Sequence, residues 1–218
     1  MQKKSTKRNT LAVAIYDNLL GYEYSIVAEL FGLVRPGTEA FWYDYRPCRV
    51  EPGEFTTSHG MMIRPKYGLA ELQRAQTVVV PGWRNVDERP RPAFLRGLQV
   101  AYRNGARIIS VCTGAFVLAH AGLLDGRRAT THWLFAEKFR DQFPQVELLD
   151  DSLYVHDGRI STSAGSSAGL DLCLSFIRND FGAEVASMVA RRMVAPVHRE
   201  GGQSQYAMAT ILDTDDAD

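Results

Sequence analysis

The sequence predicts an α/β domain built on a mostly parallel sheet with helices on both faces. First, short apolar segments alternate with segments of helical periodicity, which is typical of parallel sheets. Second, the strand predicted at residues 107–111 leads directly into Cys112-Thr113-Gly114 and an apolar helix. A sharp turn of this kind, a nucleophile elbow, lifts one side chain above a parallel sheet. Third, the length of 218 residues suits one such domain.

Six segments are predicted to be strands because they are short, apolar and rich in β-branched or aromatic residues. Asp157-Gly158 joins the last two and is a strong hairpin turn signal. The stretch 57–64 is predicted to be irregular or an edge segment. In chain order, the predicted strands are 11–16, 41–47, 77–80, 107–111, 153–156 and 160–162.

Six further segments have the apolar periodicity of helices. Gly105 and Gly122 directly follow two of them, where the left-handed conformation of a helix C-cap suits glycine. The predicted helices are 23–31, 92–104, 114–121, 133–143, 166–180 and 183–193.

The two ends of the chain differ in composition from the part between them. Residues 1–10 are predicted to be a polar N-terminal tail, since the apolar stretch that follows is too short for a signal sequence. Residues 11–195 are predicted to form the domain. From residue 196 onward, proline, paired glycines and an acidic end are typical of a linker. Residues 196–218 are therefore predicted to begin a linker to a further domain.

Composition excludes several classes of function. Lys+Arg 25 balance Asp+Glu 25, which disfavours DNA binding by this chain alone, because phosphate binding needs concentrated positive charge. No apolar run has the length of a membrane span. The three cysteines lack a Cys-x-x-Cys pair, which favours reduced thiols and a cytoplasmic location. Cys48 and Cys173 are predicted to be structural, and no metal or cofactor is expected.

Cys112 is predicted to be the reactive residue. Its side chain faces the first turn of a helix, whose free N–H groups and dipole favour the thiolate. The flanking Ser110 and Gly114 are small, as a crowded turn requires. The sequence therefore predicts a thiol with a lowered pKa that reacts readily with iodoacetamide.

Loops at the ends of strands supply candidate ligand-binding residues. Ligands of open α/β sheets bind beyond the carboxyl ends of the strands. One such loop contains Gly82 and Trp83, where glycine lets backbone N–H groups approach a ligand closely. With Thr113 and Gly114 of the elbow, this loop is expected to form an oxyanion hole beside the sulfur of Cys112.

Two further residues each allow two interpretations. Glu23 follows the first strand, and a carboxyl near a thiolate would have a raised pKa and could donate a hydrogen bond to sulfur or carry a proton. Equally, Glu23 is an acid in the first turn of a helix that complements the dipole. His132 follows a short predicted strand and opens a helix. It is as well explained by a local hydrogen bond at the helix start as by contact with a ligand.

These residues together resemble the ThiJ/PfpI superfamily, whose fold is a flavodoxin-like three-layer sandwich. The likeness covers residue 11 to about residue 205 and rests on Glu23, Pro81-Gly82 and the Cys112 elbow. The longer run 111–133 is more specific and is similar to the N-terminal domain of AraC-family transcriptional regulators of the GlxA/FtrA type. Segments 162–171, 190–194 and 196–203 strengthen this second likeness.

The likeness to regulators implies a domain that binds a small metabolite near Cys112 or forms a homodimer. DNA would then be bound by a helix-turn-helix domain beyond this chain. An enzyme is the alternative, because isonitrile hydratases share the Cys-Thr-Gly elbow and the Thr/Ser-His-Trp segment. In such an enzyme Cys112, Thr113 and an acid would be catalytic, with Glu23 at the position of their usual aspartate. Deglycase-like or glyoxalase-like members share cysteine and glutamate.

Two other activities of the superfamily fit less well. Protease-like members place histidine directly after the nucleophile, where this chain has Thr113. Glutamine amidotransferases need a His-x-Glu pair, and here His198-Arg199-Glu200 falls in the predicted linker. The resemblance therefore favours a regulator's sensing domain over an enzyme.

Overall fold

The predicted alternation of strands and helices is present in the structure, a computed structural model that describes residues 9–196 and 199–205. The predicted hairpin at Asp157-Gly158 is present, and Gly158 has a φ of 61°. Over the described residues, the strands are β1 (Thr10–Ile15), β2 (Asp44–Arg49), β3 (Phe55–Thr56), β4 (Met62–Ile63), β5 (Thr77–Val80), β6 (Arg107–Val111), β7 (Arg128–Ala129), β8 (Glu147–Leu148), β9 (Tyr154–Asp157) and β10 (Ile160–Ser163).

The helices occur between these strands and, for the last two, after β10. A π-helical turn, Ala28–Gly32, continues the first helix, and a 3₁₀ turn, Trp133–Phe135, precedes the fifth. Among the described residues the α-helices are α1 (Gly21–Val27), α2 (Leu69–Arg74), α3 (Pro92–Arg103), α4 (Gly114–His120), α5 (Ala136–Gln142), α6 (Ser166–Phe181) and α7 (Ala183–Arg192).

The central sheet has six strands in the order β2-β1-β5-β6-β10-β9. Every neighbouring pair is parallel except β10 and β9, which are antiparallel. Helices α1, α6 and α7 contact one another in one group, and α2, α3 and α4 in another. The predicted α/β class with a mostly parallel sheet is therefore confirmed. None of the helices in the described part of the chain has the length and apolar character needed to cross a membrane.

The centre of the sheet is buried on both faces. All residues of β5 are buried, as is β1 after its first residue. A parallel strand covered by helices on both faces reads as a continuous apolar run rather than an alternating one. This burial explains why the central strands could be located from sequence.

Among the predicted strands, the largest shift of a boundary lies at the start of β2. The prediction began this strand at residue 41, but it begins at Asp44. The rings of Trp42 and Tyr43 instead lie 5.1 and 5.0 Å from that of Phe181. The indole N–H of Trp42 also donates to the Phe31 carbonyl over 3.0 Å. Aromatic packing at the end of the sheet therefore replaces strand pairing here.

Several short elements were not predicted. They are α2 and the small strands β3 and β8, each strand of two residues. Strand β4 falls in the segment 57–64 that was predicted to be irregular or an edge, and β7 lies at the short strand predicted before His132. Only Leu72 of α2 is buried, so this helix has no apolar stripe that a periodicity analysis could detect. Elements this short depend on tertiary contacts rather than on local pattern.

At both ends of the described chain, residues that were predicted to lie outside the domain contact it. Thr10 begins β1, and the Asn9 carbonyl accepts from the Asp44 N–H over 3.0 Å, so the predicted tail is ordered at its last two positions. At the other end, residues 199–205 pack against β9, although they lie in the predicted linker. Residues 1–8, 197–198 and 206–218 lie outside the described residues, and His198 is one of them.

The buried thiols predict a loss of stability in alkali. Burial raises the pKa of Cys48 to about 12 and also raises that of Cys173. Above pH 9 the unfolded chain loses thiol protons that the folded protein keeps, so the free energy of unfolding falls as pH rises, by about 1.4 kcal/mol per pH unit for each thiol. Urea denaturation at intervals from pH 8 to 11 should give a shallower decline in Cys48→Ala. Equal slopes in the two proteins would contradict this expectation.

Candidate functional site

Cys112 occupies the strained position that the elbow motif predicts. It follows β6 directly and has a φ of 56°, in the left-handed region that non-glycine residues seldom adopt. Its N–H donates to the Ser163 carbonyl over 3.0 Å, and its carbonyl accepts from the Thr131 hydroxyl over 3.2 Å. Strain of this kind costs about 1–3 kcal/mol and persists only where neighbours hold it. The predicted elbow is therefore present, and hydrogen bonds fix its backbone from two sides.

The loop after β10 closes over the sulfur. Gly165 has a φ of 90°, and a Cβ built on it would lie 2.4 Å from the Cβ and 2.8 Å from the Sγ of Cys112. Glycine is therefore required here both by its backbone conformation and by the approach of the thiol. The next residue, Ser166, also has a positive φ, of 47°, and begins α6. The start of α6 thus forms one side of the site.

The thiol of Cys112 is buried and favours its neutral form. Cys112 is only 5% exposed. Burial, and then the charge of Glu23, raise its pKa to about 12, while hydrogen bonds from the backbone and side chain of Thr113 act in the opposite direction. The predicted lowering of this pKa by the start of α4 is thus contradicted. Loss of solvation outweighs the helix dipole when a thiolate would have to form out of contact with water.

Glu23 lies close enough to Cys112 for its charge to act on the thiol. The carboxyl is 7% exposed, and burial is the main cause of its raised pKa. The Ser166 N–H donates to it, which stabilises the charged form and limits this rise. The raised pKa agrees with the first of the two interpretations of Glu23, because an acid that served only to complement the dipole of α1 would be exposed and ionised.

Thr113 connects the elbow to the loop after β5. Its side chain is 3% exposed, and its hydroxyl donates to the Trp83 carbonyl over 2.8 Å. Its N–H acts on the sulfur of Cys112 and lowers the pKa of that thiol. Thr113 of the elbow and Glu23, which comes from a distant part of the sequence, therefore both act on Cys112.

Gly82 and Trp83 lie near the site but are held by the core. The carbonyl of Gly82 accepts from the Tyr16 hydroxyl over 2.9 Å, and a Cβ on Gly82 would lie 2.5 Å from the Leu20 side chain. The indole of Trp83 is 2% exposed, and its N–H donates to the Glu88 carbonyl over 2.9 Å. These contacts shape the loop. The indole N–H of Trp83 is therefore occupied, and the predicted part of this loop's backbone N–H groups in an oxyanion hole stays a prediction.

Gly114 allows the start of α4 to pack closely against the end of β5. A Cβ on it would lie 2.5 Å from the Val80 carbonyl oxygen and 2.6 Å from that of Pro81. The first turn of α4 therefore approaches the end of β5 more closely than any other residue would allow. Its predicted part in ligand binding stays a prediction.

Two clefts reach residues that contact Cys112. The first, which we call the Leu20 cleft, has a volume of about 360 Å³. The second, the His132 cleft, has a volume of about 170 Å³. The Leu20 cleft is lined by Leu20, Trp83, Arg84, Asn85, Val86, Asp87, Thr113, Phe135 and Lys138. The His132 cleft is lined by His132, Trp133, Leu153, Ala164, Gly165, Ser166, Ser167, Ala168 and Gln205.

His132 makes the local hydrogen bond that the sequence allowed, and it also lines a cleft. Its Nδ1 accepts from the Leu134 N–H over 3.2 Å at the start of the 3₁₀ turn. Burial lowers its pKa, which favours the neutral ring. With Nδ1 accepting, the neutral ring carries its hydrogen on Nε2, so His132 has a donor in addition to its capping contact.

Sequence reasoning did not single out Gly165, Ser166 or Gln205 as site residues. A signal was available for the first two, because the small residues 164–167 follow the end of a parallel strand, as the elbow does. Gln205 had no such signal, since it falls in the predicted linker. Within residues 9–196 and 199–205, no group of three or more His, Cys, Asp or Glu side chains is placed to hold a metal ion.

The fold and the site together define a class of α/β domains that carry a cysteine on the elbow after a central parallel strand. A family model described as the DJ-1/PfpI family matches residues 22–179. This chain belongs to the DJ-1/PfpI family, and the resemblance to the ThiJ/PfpI superfamily is thereby confirmed.

Two curated relatives represent the two functions that the sequence left open. The HTH-type transcriptional regulator CdhR of Pseudomonas aeruginosa is 33% identical over 152 residues, which cover 70% of this chain and 45% of the regulator. The isonitrile hydratase of Pseudomonas putida is 31% identical over 165 residues, which cover 72% of this chain and 69% of the hydratase. The chain therefore spans less than half the length of the regulator. Transcriptional regulators are among its relatives, as the motifs indicated.

A solved structure has the same architecture. The AraC family transcriptional regulator from Pseudomonas putida superposes with a TM-score of 0.71 at 17% identity, over 85% of this chain and 99% of that one. At this identity the likeness shows the fold alone. Together with the family match, it confirms the flavodoxin-like α/β fold.

Proposed function

We propose that this chain is the ligand-sensing domain of an AraC-family transcriptional regulator and binds a small metabolite beside Cys112. The observation that carries the proposal is the burial of the thiol, which is 5% exposed and lies against Gly165; this burial raises its pKa. A cysteine nucleophile needs its thiolate. A neutral thiol beside a carboxyl of raised pKa is better suited to holding a ligand by hydrogen bonds. Similarity to an HTH-type regulator adds support.

The His132 cleft is the proposed ligand site. It brings the hydroxyl-bearing first turn of α6 opposite the His132 ring, and Ser166 and Gly165 connect it to Glu23 and Cys112. A few polar groups that converge in a concave site fix the orientation of a small ligand. The proposed ligand is therefore a small polar metabolite.

DNA contact is assigned to a separate helix-turn-helix domain of the same protein. The formal net charge of this chain is zero, so it has no excess of positive charge for binding phosphates. We infer that the regulator is a homodimer, because a two-fold symmetric protein matches paired half-sites on DNA. We place it in the cytoplasm, where bacterial DNA is found.

A cysteine enzyme is the second candidate. It is favoured by the similarity to an isonitrile hydratase and by the presence of Cys112, Thr113 and Glu23 in one site. In this case the sulfur would attack the isocyanide carbon, an acid would protonate the adduct, and water would release an N-substituted formamide. A deglycase or glyoxalase would use the same residues.

The proposal predicts binding without turnover. In a thermal-shift screen of amino acids, amines and small carboxylic acids, a ligand at 100 times its Kd should stabilise the domain by about 2.7 kcal/mol, or roughly 5–10 °C in Tm. The shift should disappear in Cys112→Ala and Glu23→Gln and persist in the matched control Cys48→Ala.

Two results would count against a sensing role. One is the absence of any shift across the screen. The other is turnover of isocyanides or glyoxals by the purified protein, lost in Cys112→Ala, which would establish the enzyme instead.

A further inference from the structure

Residues 199–205, which we call the C-terminal strap, extend the edge of the sheet. The N–H groups of Leu153 and Tyr154 donate to the carbonyls of Gln203 and Gly201 over 3.1 and 3.2 Å. In the other direction, the N–H of Gln205 donates to the Asp151 carbonyl over 3.2 Å. The strap thus binds outward-facing backbone groups at the start of β9, as an added strand would.

The first residue of the strap is tied to the start of α6. Arg199 donates through Nε and Nη2 to the Asp171 carboxylate over 3.0 and 2.5 Å, and through Nη2 to the Ser167 hydroxyl over 3.1 Å. The Asp171 side chain is 2% exposed, so its charge depends on this partner. Asp171 lies five residues beyond Ser166, whose N–H binds Glu23. Arg199 therefore contacts the same helical turns that form one side of the site.

The last residue of the strap is tied to the opposite side. The amide nitrogen of Gln205 faces four oxygens within 3.0 Å, those of the Thr131, Asp150 and Ser152 carbonyls and the Thr130 hydroxyl. Its amide oxygen accepts from the Trp133 N–H over 3.0 Å.

A short chain of contacts continues from Gln205 to the elbow. Thr131, whose carbonyl accepts from Gln205, donates through its hydroxyl to the Cys112 carbonyl over 3.2 Å. Gln205 also lines the His132 cleft. The strap therefore connects the wall of the cleft to the backbone of the reactive residue.

We propose that the C-terminal strap is the movable wall of the His132 cleft, and that a ligand filling this cleft displaces Gln205 and releases the strap. The inference rests on the proposed sensing function, of which it is the regulation. With Gln205 in place the cleft has a volume of about 170 Å³, whereas small-molecule sites typically have volumes of about 300–1,000 Å³. Space for a ligand in this cleft therefore has to come from displacement of the strap.

Binding linkage makes this coupling reciprocal. If a ligand releases the strap, then weakening the strap opens the cleft and exposes Cys112. This reciprocal effect can be measured with iodoacetamide as the probe, before any metabolite is known.

The first experiment compares two glutamines of the strap. Gln205→Ala should raise the alkylation rate of Cys112 by about tenfold, which corresponds to 1.4 kcal/mol in an opening equilibrium. The matched control is Gln203→Ala, because Gln203 is exposed and holds β9 through its backbone carbonyl. Hydrogen exchange at the Leu153 and Tyr154 N–H groups should rise in Gln205→Ala and stay unchanged in Gln203→Ala. Arg199→Ala should act as Gln205→Ala does.

Global unfolding is distinguished by the other cysteines, since Cys48 and Cys173 are fully buried and should stay unreactive. Faster exchange at Leu153 and Tyr154 without faster alkylation of Cys112 would overturn the proposal, because the strap would then move independently of the cleft. Unchanged exchange and alkylation in both Gln205→Ala and Arg199→Ala would also overturn it.

The second experiment fills the cleft in a protein whose strap residues are unchanged. Wild-type protein alkylated to completion at Cys112 should show faster exchange at Leu153 and Tyr154 than unmodified protein, with Cys112→Ala taken through the same treatment as the control. Equal exchange before and after alkylation would overturn release by an occupant. Neither experiment uses a metabolite, so failure of the metabolite screen and failure of the strap proposal are separate results.

Discussion

At pH 8, Cys112 is expected to react with iodoacetamide about a thousand times more slowly than a free cysteine thiol. Burial and the Glu23 charge raise its pKa from the ordinary 9.0 to about 12, and at a fixed pH below the pKa each unit of this rise lowers the reactive thiolate fraction about tenfold. The rate of adduct formation, followed by mass spectrometry from pH 7 to 11, should keep rising up to the highest pH. A plateau near pH 7 would show an activated thiolate instead.

Substitution of Glu23 separates the two causes of this slow reaction. Glu23→Gln removes a negative charge that disfavours the thiolate, so alkylation should be faster than in the wild type wherever Glu23 is ionised. Burial of the thiol is unchanged, and the rate should therefore stay below that of a free thiol. The matched control is Glu137→Gln, since Glu137 is an exposed acid in the first turn of α5. A slower reaction in Glu23→Gln would mean that the carboxyl assists the thiol.

Features that depend on a local pattern could be predicted from the sequence. The apolar run of β6 followed by Cys112-Thr113-Gly114 specified the elbow, because few turns combine a buried strand, small residues and a helix start. The hairpin at Gly158 was specified in the same way by its turn residues. The meeting of Glu23 with Cys112 was one of the two interpretations that the sequence allowed, because the carboxyl ends of parallel strands lie at one edge of the sheet.

Features that depend on burial and on distant partners could not be predicted. The pKa of Cys112 is set by loss of solvation beneath Gly165 and Ser166, residues more than fifty positions away in the sequence. Trp83 was assigned to a ligand through the backbone of its loop, and no local pattern showed that its ring packs in the core, 4.6 Å from that of Tyr16. The strap has the composition of a linker, and its docking rests on Arg199 meeting the buried Asp171.

Gly114→Ala should lower the free energy of unfolding by about 3 kcal/mol, whereas Gly97→Ala should change it by less than about 1 kcal/mol. Both glycines are buried in helices, and both would place a Cβ about equally close to a neighbour. At Gly114 the neighbours are the carbonyl oxygens of Val80 and Pro81, at 2.5 and 2.6 Å. These backbone atoms belong to the end of β5 and cannot move without disturbing the sheet beside Cys112.

At Gly97 the neighbour is the end of the Leu69 side chain, 2.6 Å from the added Cβ. A leucine can change rotamer, and alanine favours the interior of α3 by roughly 0.5–1 kcal/mol over glycine, which offsets much of the contact. Urea denaturation of both variants measures the difference, which should correspond to roughly 6–12 °C in Tm for Gly114→Ala. Equal losses in the two variants would mean that the elbow tolerates displacement of α4, and that Gly114 is not what fixes the position of Cys112.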